Sequence, residues 1–412
     1  KKFSYKKNHT ILRYSLLVIT ILAWIVGVNA VVSLLDPYGA FGRIASNLMR
    51  PVYYMVNNII ASIYNAMGDY NVYRVTLKTV NISSVVAAGV TFIVIGVMSV
   101  MRGRLYCNSI CPVGTGLGLL SKFSLFKIKL DENSCIKCGR CAVKCKSSCI
   151  DVKSKQVDYT RCVSCYSCLD ACNDNAIHLK FVYKRSTPDS KGIDVKKRKV
   201  MAAGALALAA LPLNVTASKL GQKAGEDKIS PTMPPGAKST EHFQRKCTAC
   251  HLCVSKCPSQ VLKPSFLEYG LAGMLQPYMD YRVGFCSYDC TACADVCPNS
   301  ALERITMDDK HNLQIGKAIF DKHKCVVYVD ETDCGACSEH CPTQAVHMVP
   351  YKDGLRIPEV DESLCVGCGG CQYICPVTPR QAIVVQGHKK HVMLSIEKEV
   401  KREEVKVDDF GF

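Results

Sequence analysis

Residues 135–145 read CIKCGRCAVKC, and residues 162–172 read CVSCYSCLDAC. Both carry the spacing C-x2-C-x2-C-x3-C, with Cys135, Cys138, Cys141 and Cys145 in the first stretch and Cys162, Cys165, Cys168 and Cys172 in the second. A tight loop with two-residue gaps can wrap three thiolates around one cube of iron and sulfide. The next cysteine, on the turn that follows, points away and reaches the neighbouring cube. By that rule Cys135, Cys138, Cys141 and Cys172 hold one [4Fe–4S] centre, and Cys162, Cys165, Cys168 and Cys145 hold its partner. A structural zinc site would show cysteine pairs separated by a longer spacer instead.

Working outward, the same grammar recurs four times. Cys247, Cys250, Cys253 and Cys257 repeat the spacing, with Pro258 after them. Cys286, Cys290, Cys293 and Cys297 open with a gap of three, then Pro298; Cys325, Cys334, Cys337 and Cys341 open with a gap of eight, then Pro342. Cys365, Cys368, Cys371 and Cys375 close the series before Pro376. The pattern predicts an α+β fold made of two-cluster, ferredoxin-like modules, one over 131–180 and two over 241–385. Short apolar elements (Ala176 and Ile177, Val261 and Leu262, Ala301 and Leu302, Ala345 and Val346, Ala382 and Ile383) would pack beneath each cube. The four C-terminal sets could pair in chain order or be nested, first with fourth and second with third.

Six sets of four leave three of the 27 cysteines. Cys107 and Cys111 form a C-x3-C-P motif that could be a redox pair, a metal site or a helix cap. Cys149 reads as a packing cysteine. Cys247 to His251 also match the C-x-x-C-H pattern of covalent haem attachment. Because Cys253 and Cys257 continue the iron–sulfur spacing, His251 reads as an ordinary loop residue.

A chain of 412 residues is too long for a disulfide-stapled mini-protein. Its net charge of +17 is concentrated beside apolar runs, which points to membrane topology and away from a nucleic-acid partner. Tyr14–Leu35 and Thr79–Met101 are long enough to span a bilayer, and a third helix is expected over about 196–218, behind Lys196, Lys197, Arg198 and Lys199. Asn57, Asn58 and Asn65 make an interfacial helix, about 45–67, the better reading of the apolar stretch between the first two. The expected layout is a membrane domain over 1–106 and a ferredoxin over 107–190. A third span, a linker over 219–245 and a four-cluster domain over 246–412 follow. Positive charge before the first and third helices puts the first ferredoxin in the cytoplasm of a bacterium and the last domain in the periplasm, across the inner membrane. No general base, nucleophile, phosphate loop or dinucleotide fingerprint emerges, so conduction is expected rather than bond chemistry.

Leu35, Asp36, Pro37 and Tyr38 after the first apolar run, and the stretch from Arg104 through Cys107 and Cys111 to Gly114 after the second, resemble NapH-type membrane ferredoxins. MauN-type and NosR-type proteins share that C-x3-C-P signature. Pro234, Pro235, Gly236 and Ala237 ahead of four cysteine sets resemble the NapG/MauM-type four-cluster ferredoxin. The chain is thus similar to a fusion of the two subunits. The resemblance implies a quinol dehydrogenase module, in which electrons pass from menaquinol, or from a cytoplasmic donor, through six [4Fe–4S] clusters to a periplasmic reductase or cytochrome c. Lipid, quinone and a further membrane subunit are the other partners it implies. An iron–sulfur assembly or regulatory protein serving a periplasmic metalloenzyme is the alternative. Resemblance to other four-cluster electron-transfer subunits favours nested pairing.

Overall fold

The computed structural model describes residues 3–5, 10–26, 29–76, 82–131, 133–182, 230–266, 268–270 and 273–394. The expected third span, 196–218, and residues 219–229 of the expected linker lie outside them. The chain divides into two compact units. The first holds the N-terminal part with residues 241–278 and 296–301; the second holds residues 229–240, 279–295 and the C-terminal part from 302. The region expected as one domain from 246 is therefore shared between the two.

In the first unit the described parts of the opening apolar stretch are helical, α1 (Thr10–Val26) and α2 (Asn29–Leu35). Within α2, Asn29, Ala30 and Ser33 are buried, and the Asn29 amide donates to the Gln244 carbonyl. A side chain that is costly in lipid is thus satisfied by protein. Asp36 then caps α3 (Pro37–Ile44) by accepting from the Gly39 amide at 2.7 Å, with Pro37 at the first helical position. A π turn over Ala45–Met49 leads into α4 (Arg50–Ala66). Two of the amides that suggested an interfacial helix are occupied: Asn57 donates to the Tyr73 carbonyl at 3.1 Å and Asn58 to the Val75 carbonyl at 3.0 Å.

Next comes α5 (Ile82–Arg102), 21 residues and, at 1.5 Å per residue, about 31 Å long. Among the described residues it is the one helix long and apolar enough to cross a membrane. Short helices α6 (Leu105–Ser109) and α7 (Pro112–Lys122) follow. Arg13 ties α1 to this end, donating to the Thr115 hydroxyl at 3.3 Å and the Thr160 carbonyl at 2.8 Å.

The segments after the two apolar stretches lie near one another in the first unit: Asp36 acts electrostatically on both Tyr106 and Cys111, and Arg43 on Tyr106.

Strand β1 (Phe126–Leu130) pairs antiparallel with β4 (Ile177–Phe181), from Phe126 opposite Phe181 to Leu130 opposite Ile177. Between them lie the first cysteine loop, α8 (Arg140–Lys144), the small hairpin β2 (Ile150–Asp151) and β3 (Gln156–Val157), and the second loop. Ile128, Ile150 and Ile177 pack with Cys141, Cys149 and Cys168 as the core. The unit continues through α9 (Thr240–Lys246), α10 (Leu252–Lys256) and the short strands β5 (Leu262–Pro264) and β6 (Pro277–Met279).

The second unit repeats that plan at larger scale. After α11 (Ala292–Asp295) and α12 (Met307–Asn312, closed by a capping box of Thr306 and Asp309), β7 (Leu313–Phe320) begins. Helices α13 (Val326–Val329) and α14 (Ala336–Glu339), the hairpin β8 (Val346–Pro350) and β9 (Arg356–Val360), α15 (Gly370–Ile374) and β10 (Ile383–Met393) follow. β7 and β10 pair antiparallel, Phe320 opposite Ile383 through Leu313 opposite Met393, with a register shift between Gly387 and Val392. Because these outer strands pair with each other, they close the third and fourth cysteine sets into one module. The pairing is sequential, and the nested arrangement is not what forms.

Candidate iron–sulfur centres

The loops are built alike before any side chain is considered. In the four sets with two-residue gaps, the second and fourth residues after the first cysteine adopt positive φ: Lys137 and Gly139, Ser164 and Tyr166, Ala249 and His251, Gly367 and Gly369. A left-handed residue with a side chain costs roughly 1–2 kcal/mol. What the conformation supplies is a set of backbone N–H groups turned to one side, a concavity suited to an anion. Such a loop fits a cube of net negative charge.

The cysteine side chains gather around apolar hollows. Cys135, Cys138, Cys141 and Cys172 line one hollow, closed by Leu130, Ile136 and Ile177. Cys145, Cys162, Cys165 and Cys168 line a second, and Cys325, Cys334, Cys337 and Cys375 a third. Cys341 acts electrostatically on Cys365, Cys368 and Cys371, and Cys297 on Cys247 and Cys250. In the N-terminal module, and between the third and fourth C-terminal sets, the last cysteine of one set thus joins the first three of its neighbour, while Cys297 lies with Cys247 and Cys250. Cys253 follows on α10. Cys257 lies in the first unit; Cys286, Cys290 and Cys293 lie in the second, where the Cys286 amide donates to the Cys368 carbonyl at 2.9 Å.

Burial pushes the thiols up, Cys168 and Cys337 to about 11, Cys247 and Cys368 to about 12. Left to themselves they would stay protonated at neutral pH. A metal bound there must displace those protons, and four soft sulfur donors in an apolar hollow suit iron–sulfur chemistry.

Three cysteines stand outside the six sets. Cys149 does pack in the core, yet its sulfur lies 3.4 Å from Cys145 and lines the same hollow. Hydrogen bonded to Cys145 and Cys162, it stays protonated and draws Cys145 down to about 6. In the C-x3-C-P motif, Cys111 is buried and Cys107 exposed. Cys111 caps α7, accepting from the Gly114 amide at 3.4 Å, and burial raises its pKa.

The residues that spacing does not reveal lie between α2 and α4, against the 247–257 loop. Gly39 and Gly42 allow the approach: a Cβ on Gly42 would stand 2.2 Å from the Cys250 carbonyl oxygen, and one on Gly39 2.9 Å from that of Thr248. Ser46 meets Ser255 at 2.7 Å, and Arg50 donates to the Val254 carbonyl at 3.3 Å. His251 is a bridge rather than a free loop residue. Its Nε2 lies 2.9 Å from the Leu275 carbonyl and its Nδ1 3.2 Å from the Asn47 amide. Burial pulls its pKa down to about 4, so the neutral ring donates from Nε2 and accepts at Nδ1. The glycine pair and Asp36 were visible in sequence, but nothing there joins them to a loop two hundred residues on.

With this geometry in hand, the chain classes as a protein with 4Fe–4S ferredoxin-like domains. Family models described as "4Fe–4S dicluster domain" match residues 246–302 and 332–378, and one described as "4Fe–4S binding domain" matches 85–131, which takes in Cys107 and Cys111. The ferredoxin-type protein NapF of Escherichia coli K12 is 30% identical over 156 residues, 38% of this chain and 86% of NapF. The methylamine utilization ferredoxin-type protein MauM of Methylobacillus flagellatus is 31% identical over 154 residues, 34% of this chain and 62% of MauM. The ferredoxin-type protein NapG of E. coli K12 is 29% identical over 151 residues, 34% of this chain and 64% of NapG. The chain belongs to the family of the ferredoxin-type protein NapF, and it is an iron–sulfur electron-transfer protein related to the Nap and Mau ferredoxins.

Proposed function

We propose that this chain is a membrane-bound conduit that passes electrons from the quinol pool, or from a cytoplasmic donor, through six [4Fe–4S] clusters to a reductase or cytochrome. The observation that carries the reading is the crosswise convergence of the cysteine sets, repeated in both units. Each cubane, when bound, takes up and releases one electron. The protein's part is to hold, bury and hydrogen bond the sulfurs, the levers that set potential. The Cys286 amide bonded to the Cys368 carbonyl favours a path in which the second set adjoins the fourth, so order along the wire differs from order along the chain.

Membrane association rests on exposed apolar faces. Val86, Val90, Ile93 and Val100 on α5, Ile19 and Trp24 on α1, and Val52, Met55 and Ile59 on α4 all face outward. Apolar surface of that extent marks an interaction with lipid or another chain. The 4Fe–4S binding match over 85–131 supports a NapH-like membrane part joined to a NapG-like ferredoxin part, with menaquinol as the donor that this arrangement would serve. The test is anaerobic addition of a reduced menaquinol analogue to purified, cluster-loaded protein in detergent. Stoichiometric bleaching of the cluster absorbance is expected. No reduction by the quinol, with full reduction by a low-potential ferredoxin, would contradict the quinol reading and leave the cytoplasmic donor.

A further inference from the structure

Arg43 is the largest unexplained charge in the first unit. Its side chain is 1% exposed, its Nη1 lies a long 3.5 Å from the Ala249 carbonyl, and its Nε and Nη2 are buried without a hydrogen-bond partner. A buried guanidinium with unpaired N–H groups is costly enough to require a negative partner. Asp36 is within its field, but that carboxylate already serves as the cap of α3. The other groups whose negative charge would act on Arg43 are Tyr106 and Cys250, and of these it is the Cys250 loop that the chain closes on, because Gly42, next to Arg43, lets the backbone touch the Cys250 carbonyl. The π turn at 45–49 follows directly and aims Ser46 and Asn47 at the same loop; such turns interrupt helices frequently at functional sites.

We propose that Arg43 is the charge-compensating, positioning residue of the centre held by Cys247, Cys250, Cys253 and Cys297, its Nε and Nη2 donating to sulfur there. The inference rests on the ligand reading above and adds a role for the segment between α2 and α4. A fixed guanidinium favours the more negative, reduced form of a centre beside it, so this site holds a higher potential than it would alone. The helical N-terminal part of the chain would then set the energy at which electrons enter the C-terminal clusters.

The test is an EPR-monitored redox titration of full-length, cluster-loaded wild type, Arg43→Gln and Arg43→Lys. In Arg43→Gln one midpoint is expected to move to more negative potential while the others stay and iron content is unchanged. Arg43→Lys, which keeps the charge, is expected to return most of that shift. Unchanged midpoints in a fully loaded Arg43→Gln protein would overturn the proposal. Should that variant not load, wild type carrying 15N-labelled arginine decides by pulsed EPR. A weak 15N coupling at a reduced centre is expected, and none at any reduced centre would overturn it. An iron assay on wild type separates the two levels, because absent clusters would fault the ligand reading itself.

Discussion

The module over 126–181 and the module over 313–393 follow one plan. Each has paired outer strands, an inner hairpin and two cysteine loops that trade their last ligand. They differ in how much protein surrounds the sulfur. In the N-terminal module the outer strands are five residues long, the inner hairpin strands two, and Cys138 and Cys165 are exposed. In the C-terminal module the outer strands run eight and eleven residues, and Cys365, Cys368 and Cys371 are 7%, 9% and 7% exposed. The same cysteine grammar therefore yields one module with an exposed ligand in each loop and one with a loop whose first three ligands are all enclosed, and solvent exposure is one of the terms that sets cluster potential.

The largest effect should come from the traded ligands. Cys375→Ser is expected to abolish or convert the centre held by Cys325, Cys334 and Cys337 and to leave the centre of the Cys365 loop intact, as read by EPR. Cys341→Ser should do the reverse. If each substitution instead damages the centre of its own loop, the crosswise arrangement is wrong.

Exposure predicts an order of loss. With an iron chelator and the protein anaerobic, the N-terminal centres should be stripped first, followed by their EPR signals. Simultaneous loss from both modules would remove the contrast.

A pair of equivalent glycines tests the enclosure directly. Gly139 and Gly369 each follow the second cysteine of a loop, with φ of 79° and 80°. A Cβ at 139 would meet nothing within 4 Å, whereas one at 369 would stand 2.0 Å from the Tyr281 ring. Gly139→Ala should therefore cost only the left-handed backbone penalty, roughly 1–2 kcal/mol. Gly369→Ala should add an overpacking penalty of roughly 1–3 kcal/mol. Denaturant titration of the loaded variants checks the difference, and equal costs would contradict the packing described.

Much of this was legible before folding. The four-cysteine sets are legible as a motif, because short, repeated gaps between thiols are what a loop wrapping a cube needs. Pairing of the C-terminal sets was not legible: spacing is silent on which loops adjoin, and the β7–β10 pairing decides it. Nor was the cover over the end of the opening apolar run, which reads the same whether lipid or protein lies on it: the Asn29 amide is satisfied by the Gln244 carbonyl far along the chain. Arg43 and Asn47 stayed hidden for the same reason, and Cys149 looked like packing because it does pack, while also facing the cluster hollow.

The smallest effect concerns the strand that closes the C-terminal module. His391 on β10 is buried with neither ring nitrogen hydrogen bonded, and burial, with His388 and Lys310 nearby, pulls its pKa down to about 4. The folded ring resists a proton that the unfolded chain accepts below its ordinary 6.5. Stability is thus full above pH 6.5 and is lost as pH falls toward 4, by about 1 kcal/mol between pH 7.5 and 5.5. Thermal melts of wild type and His391→Leu over that range should show a flatter profile for the variant, and parallel profiles would contradict the assignment.

Iron and acid-labile sulfide per chain, measured on anaerobically purified protein, bear most directly on the whole account. About 24 of each is expected from six cubanes. Zinc in place of iron, or iron without matching sulfide, would contradict it.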